Sequence, residues 1–83
     1  MTETEILTHL EELLSRLRIE LRWEEGDFTG GVCKFGDSQV CVVNRSLSTR
    51  EKIEILSRSL AQLDLSNTFL LPAIRQRILQ AGG

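Results

Sequence analysis

Between Thr4 and Trp23 the apolar residues change period, with no glycine or proline to mark the change. Ile6, Leu7, Leu10, Leu13, Leu14 and Leu17 recur at helical spacing. They lie within about 100° of arc, the width of a stripe that faces a core. From Leu17 the spacing becomes two, with Leu17, Ile19, Leu21 and Trp23 alternating with Arg18, Glu20, Arg22 and Glu24. That alternation predicts a half-buried strand with one charged face. A helix joined directly to a strand leaves no linker between them, so one core must cover the stripe of the first and the apolar face of the second. A helix continued through Leu21 is the competing reading.

The ends of the elements carry their own signals. Thr2 and Glu5 have capping-box spacing, with Thr4 as an alternative cap, and acidic residues crowd the front of the helix while Arg16 and Arg18 close it. Glu25-Gly26-Asp27 reads as a turn and Thr29-Gly30-Gly31 as a second flexible point. Val32 to Phe35 and Gln39 to Val43 flank Gly36-Asp37-Ser38 as a hairpin. A three-residue loop there predicts Phe35 opposite Gln39 and Cys33 opposite Cys41, and a shift by one residue separates the cysteines. Ser48 and Glu51 repeat the capping-box spacing ahead of Ile53, Leu56, Leu60 and Leu63, with Ile55 off that stripe. Asp64-Leu65-Ser66-Asn67 breaks this helix. Pro72 opens a last one bearing Ile74 and Ile78, with Gly82-Gly83 as a frayed end. The expected fold is one α+β domain over residues 1–83 in the order α-β-β-β-α-α, its small three-stranded antiparallel meander packed on helices.

Composition narrows the function classes. The chain has 83 residues, 41% of them apolar, and a net charge of −2. That balance argues against a nucleic-acid coat or a polybasic membrane anchor, and the apolar share argues against disorder. The acidic N-terminus and the absence of an apolar run near 20 residues long predict a cytoplasmic protein that does not enter a membrane. In that compartment Cys33 and Cys41 are expected as thiols.

Few residue types that carry chemistry are present. His9, Cys33 and Cys41 are the only soft or imidazole ligands, with no CxxC and no histidine pair. A structural zinc site needs four such ligands. The single histidine has no evident acid partner, and the serines and threonines fall at caps and turns. Gly26 to Gly31 matches no phosphate-binding spacing. The expectation is a chain without a catalytic constellation, metal or cofactor.

Two uneven features remain. Residues 1–43 carry nine acids and four bases, whereas residues 44–83 carry three acids and six bases: Arg45, Arg50, Lys52, Arg58, Arg75 and Arg77. The halves can complement each other within the fold, dock a partner of opposite sign, or, least favoured for want of interleaved aromatics, bind nucleic acid. Ile55, Leu65, Phe69, Leu70, Leu71 and Leu79 add apolar surface that such a small domain can bury by pairing with another chain. The leading expectation is therefore a non-enzymatic domain acting by contact with another protein or a second copy of itself. Nucleic-acid binding through the arginine-rich half is the first alternative, and a thiol redox or metal site at Cys33 and Cys41 the second.

The run Gly30-Gly31-Val32-Cys33-Lys34-Phe35, then Val42 to Ser48 and an amphipathic helix, resembles short bacterial proteins with no assigned activity. Val43-Asn44 and Leu47-Ser48 are also similar to the approach to the HExxH helix in the ImmA/IrrE metallopeptidase-like family. Here the corresponding helix reads Arg58-Ser59-Leu60-Ala61-Gln62. Both histidines and the glutamate are missing, so neither zinc ligands nor a general base carry over. The resemblance implies a scaffold retained without its metal.

Overall fold

The structure is a computed structural model that describes residues 1–82. Helix α1 spans Glu3–Arg16, strand β1 Glu20–Glu24, β2 Gly30–Phe35, β3 Ser38–Asn44, helix α2 Thr49–Ala61 and helix α3 Pro72–Gly82. Gly83 lies outside the described residues.

Thr2, not Thr4, caps α1. Its hydroxyl accepts the Glu5 N–H at 3.2 Å, and its own N–H donates to the Glu5 carboxylate at 3.1 Å. The helix ends sharply. Arg18 adopts φ 61°, Ile19 N–H donates to the Leu14 carbonyl at 2.9 Å, and Arg18 N–H donates to Ser15 at 3.0 Å. This is a Schellman stop, in which the left-handed residue reverses the chain and the next one packs back on the helix. Ile19 and Leu14 are both buried, completing the apolar contact that accompanies the motif. The stop places the helix–strand boundary at Arg18, and the helix does not continue to Leu21.

The sheet is mixed, with spatial order β1-β3-β2. The antiparallel meander is corrected: β1 runs parallel to β3, and only β2 and β3 are antiparallel. The physical reason lies in β3, whose Val40-Cys41-Val42-Val43 is a continuous apolar run suited to a central strand. The charged alternation of β1 suits an edge. Residues 25–37, comprising a loop, β2 and a turn, supply the crossover that parallel neighbours require.

The hairpin register is also shifted from the expected one. Only Gly36 and Asp37 lie in the turn, so Phe35 opposes Ser38, Cys33 opposes Val40 and Val32 opposes Cys41. Gly36 has φ 62°, at the first central position where a type II′ turn requires a positive angle. Ser38 thereby enters the ladder instead of the loop.

Asn44 fixes the crossing of the chain over the end of β3. Its side-chain NH2 donates to the carbonyls of Gly26 and Phe28, each at 2.8 Å, while its carbonyl oxygen accepts Ser46 N–H at 2.9 Å. Gly30 is needed where the crossing loop meets β3. A Cβ there would lie 2.5 Å from the Val42 carbonyl oxygen, and φ is +143°.

Helices α1 and α2 cover one face of the sheet, and α3 packs on these two helices without touching a strand. Leu10, Leu13 and Leu14 of α1 form one buried cluster with Cys41 and Val43 of β3, Ile53, Leu56 and Leu60 of α2, and Ile74 and Ile78 of α3. Ser48 caps α2 with the same reciprocal pair to Glu51 seen at Thr2. At the far end α3 approaches α2 closely, since a Cβ on Gly82 would lie 2.8 Å from that of Ala61. Among the described residues no helix is long and apolar enough to cross a membrane.

Candidate interaction surfaces

Because Cys41 and Val43 point into the core, strand alternation sends Val40 and Val42 to the opposite face of the sheet. Register adds Glu20 and Arg22 from β1, and Gly31 and Cys33 from β2, to that same face. No described helix covers it. On the β1 side Glu20 and Arg22 form an ion pair, and Glu24 adds another charge. On the β2 side the residues are Gly31, Cys33 and Phe35, and Phe35 is 64% exposed.

The two edges of the sheet therefore differ in kind. Edge β1 is lined with charge, the usual protection against pairing with another strand. Edge β2 has no proline and a single charged residue, Lys34. An uncovered edge strand presents a row of backbone N–H and C=O groups that lack partners.

Two of the depressions on the helical side gather apolar residues. An open groove of about 610 Å³ lies between α2, the 62–71 connection and α3, lined by Leu60, Leu63, Leu65, Leu70, Ile78 and Leu79, with Arg75 at its side. A smaller one of about 230 Å³ is lined by His9, Glu12, Arg16, Phe69, Leu70 and Leu71. Of the six apolar residues singled out from sequence, Leu65, Leu70 and Leu79 share the first groove, and Phe69, Leu70 and Leu71 share the second. Leu70 is buried in the core, whereas Phe69 and Leu79 are 70% and 66% exposed. Ile55 stands apart: its Cγ2 lies where a Cβ on Gly30 would be 3.1 Å away, so it closes the start of β2.

The six basic residues are scattered. Arg45 donates to the Trp23 carbonyl at 2.9 Å, and the Lys52 ammonium sits 5.1 Å from the centre of the Trp23 ring. Arg50 lies 3.4 Å from Glu3, which joins the two oppositely charged halves of the chain, and Arg58 lies 3.4 Å from Glu54 within α2. Arg77 shares a shallow seam between α2 and α3 with Arg50 and Glu54, while Arg75 borders the apolar groove. Beneath that seam the Ser57 hydroxyl is buried without a hydrogen-bond partner.

The reactive residues do not converge. Cys33 is exposed on the open sheet face, and Cys41 is buried on the helical face. Burial pushes the Cys41 thiol pKa up, and the Ser59 hydroxyl 3.9 Å from its sulfur opposes this only in part. His9 sits on α1 with its Nδ1 3.8 Å from Glu12. Among the described residues no group of three or more His, Cys, Asp or Glu side chains is placed to hold a metal.

Sequence reasoning missed the β2 edge, since edge status depends on which strand lies at the centre. The signal was nonetheless present: the strand with the unbroken apolar run belongs in the middle, which leaves Gly30 to Phe35 outside. No family model matches the chain, and neither a curated protein nor a solved structure does.

Proposed function

We propose that this chain is a non-catalytic association module whose working form is a pair of identical copies. The observation that supports the reading is the unguarded β2 edge beside an uncovered sheet face, with exposed Phe35 at its end. A small domain with a free strand edge gains stability by adding a strand from a second chain, because each new backbone hydrogen bond satisfies groups otherwise left to water. Two identical edges can meet around a twofold axis, so a second copy needs no other partner to complete the sheet.

The basic residues support nucleic-acid binding less well. Four of the six make contacts within the fold, and the aromatic ring beside them, Trp23, is already occupied by Lys52. The scattered positions of Cys33, Cys41 and His9 give a thiol or metal chemistry little to work with.

Sedimentation equilibrium over micromolar concentrations tests the reading. The expected result is a weight-average mass that climbs with concentration toward that of two chains. A mass fixed at that of one chain throughout would refute it.

A further inference from the structure

We infer that two copies join through antiparallel pairing of their β2 strands in a single register, with Cys33 facing Cys33 of the second copy across the twofold axis. This inference rests on the self-association reading and specifies its surface.

The backbone fixes which groups are available. Asn44 N–H donates to the Thr29 carbonyl at 3.1 Å, one step beyond the Gly30–Val43 pair. Bonded and non-bonded pairs alternate along an antiparallel ladder. Gly31, Cys33 and Phe35 therefore bond to β3, and Gly30, Val32 and Lys34 turn their backbone groups to the open edge.

Side-chain faces then restrict the register. A twofold axis perpendicular to the sheet keeps the helices of both copies on one side, so residues facing the helices must oppose residues that also face them. Only registers centred on Gly31, Val32, Cys33 or Lys34 meet this condition within the strand, and centring on Gly31 pairs nothing beyond Val32, leaving Cys33, Lys34 and Phe35 without partners. Centring on Lys34 sets two ammonium groups directly opposite each other, which is destabilising. Centring on Val32 leaves Phe35 beyond the end of the partner strand. Centring on Cys33 places the exposed Phe35 ring opposite Gly31 of the second copy, where a Cβ would meet nothing within 4 Å. An aromatic ring over a bare glycine is a favourable cross-strand pair. The same register sets Val32 opposite Lys34, whose aliphatic stem can lie along the valine.

In that arrangement Val32 and Lys34 exchange hydrogen bonds across the seam, and the Cys33 pair is a non-bonded one. Its Cα atoms stand about 4.5 Å apart, within disulfide reach. The native Cys33 thus reports the register without any engineered residue.

The full chain, shown to be dimeric by sedimentation, is treated with diamide, which takes up the two thiol hydrogens as a disulfide forms. The expected product is a covalent dimer linked Cys33 to Cys33, identified by peptide mass mapping, while Cys33→Ser sediments as a dimer but does not cross-link. Val32→Pro removes an N–H that β3 does not use, and Gly31→Arg fills the space over which Phe35 settles. Both are expected to keep the circular dichroism of the parent and to sediment as monomers, and Gly31→Arg decides the matter if the proline variant fails to fold. A dimer that yields no Cys33–Cys33 linkage, or a folded Gly31→Arg chain that still dimerises, overturns the β2 seam while leaving self-association standing. A parent chain that stays monomeric overturns both.

Discussion

Arg18 holds the only positive φ outside glycine among the described residues. A side chain in that region costs roughly 1–2 kcal/mol, partly returned because glycine would enlarge the unfolded ensemble. Arg18→Gly is therefore expected to stabilise the fold by about 0.5–1 kcal/mol, raising the midpoint of thermal unfolding by about 2–8 °C. An unchanged or lower midpoint in a calorimetric scan would contradict this account of the helix stop. The two cysteines separate by exposure instead of pairing. A thiol reagent is expected to label Cys33 within minutes and Cys41 only on unfolding, since the latter is buried with a raised pKa. Mass spectrometry showing equal labelling of both would oppose the observed register. Arg18 and Asn44 could not be read from the chain itself. Neither an arginine in a left-handed turn nor an asparagine that ties a crossing loop has a local spacing signature. Thr2 and Ser48 were legible because a capping box is local.

The elements depend on their ends as well as their stripes. Glu5 and Glu51 each accept a backbone N–H and face a hydroxyl at a helix N-terminus, which holds both carboxyls below their ordinary value of 4.5. Asp64 is lowered from 3.8 by hydrogen bonds from Ser66. A carboxyl whose pKa falls on folding contributes stability above its unfolded value and loses it as pH drops through the folded value. Glu11 acts in the opposite sense, since burial raises its pKa despite Lys52. With three lowered and one raised, the urea midpoint is expected to fall between pH 5 and pH 3, and Glu5→Gln with Glu51→Gln to flatten that fall. An equally steep slope in the double variant would show that the caps do not carry it. At the β1–β2 crossing, Asn44→Ala removes three hydrogen bonds and is expected to cost about 2 kcal/mol in urea unfolding, at roughly 0.5–1.5 kcal/mol per bond. A loss within error of zero would mean that the loop holds itself. The helices were legible from their 3.6-residue period. Sheet order was not, because a period of two names the face a residue occupies and says nothing of which strand lies beside it.

At the scale of the molecule, α1 and α2 close one side of a three-stranded sheet, α3 packs behind them, and the other side and the β2 edge are left uncovered. The apolar surplus read from sequence is distributed unevenly: Leu70 joins the core, Ile55 seals the start of β2, and Leu65 and Leu79 line the α2–α3 groove. The charge split has an intramolecular component in the Glu3–Arg50 contact, which ties α1 to α2. Pairing through β2 would extend the sheet to six strands and merge the two open faces, with the grooves on the helical side left free. Residue-resolved amide hydrogen exchange as a function of concentration tests this most directly. The Val32 and Lys34 amides are predicted to gain protection as copies associate, while those of Gly31 and Cys33, bonded to β3, stay protected throughout. Val32 and Lys34 exchanging at open-chain rates at every concentration would contradict it.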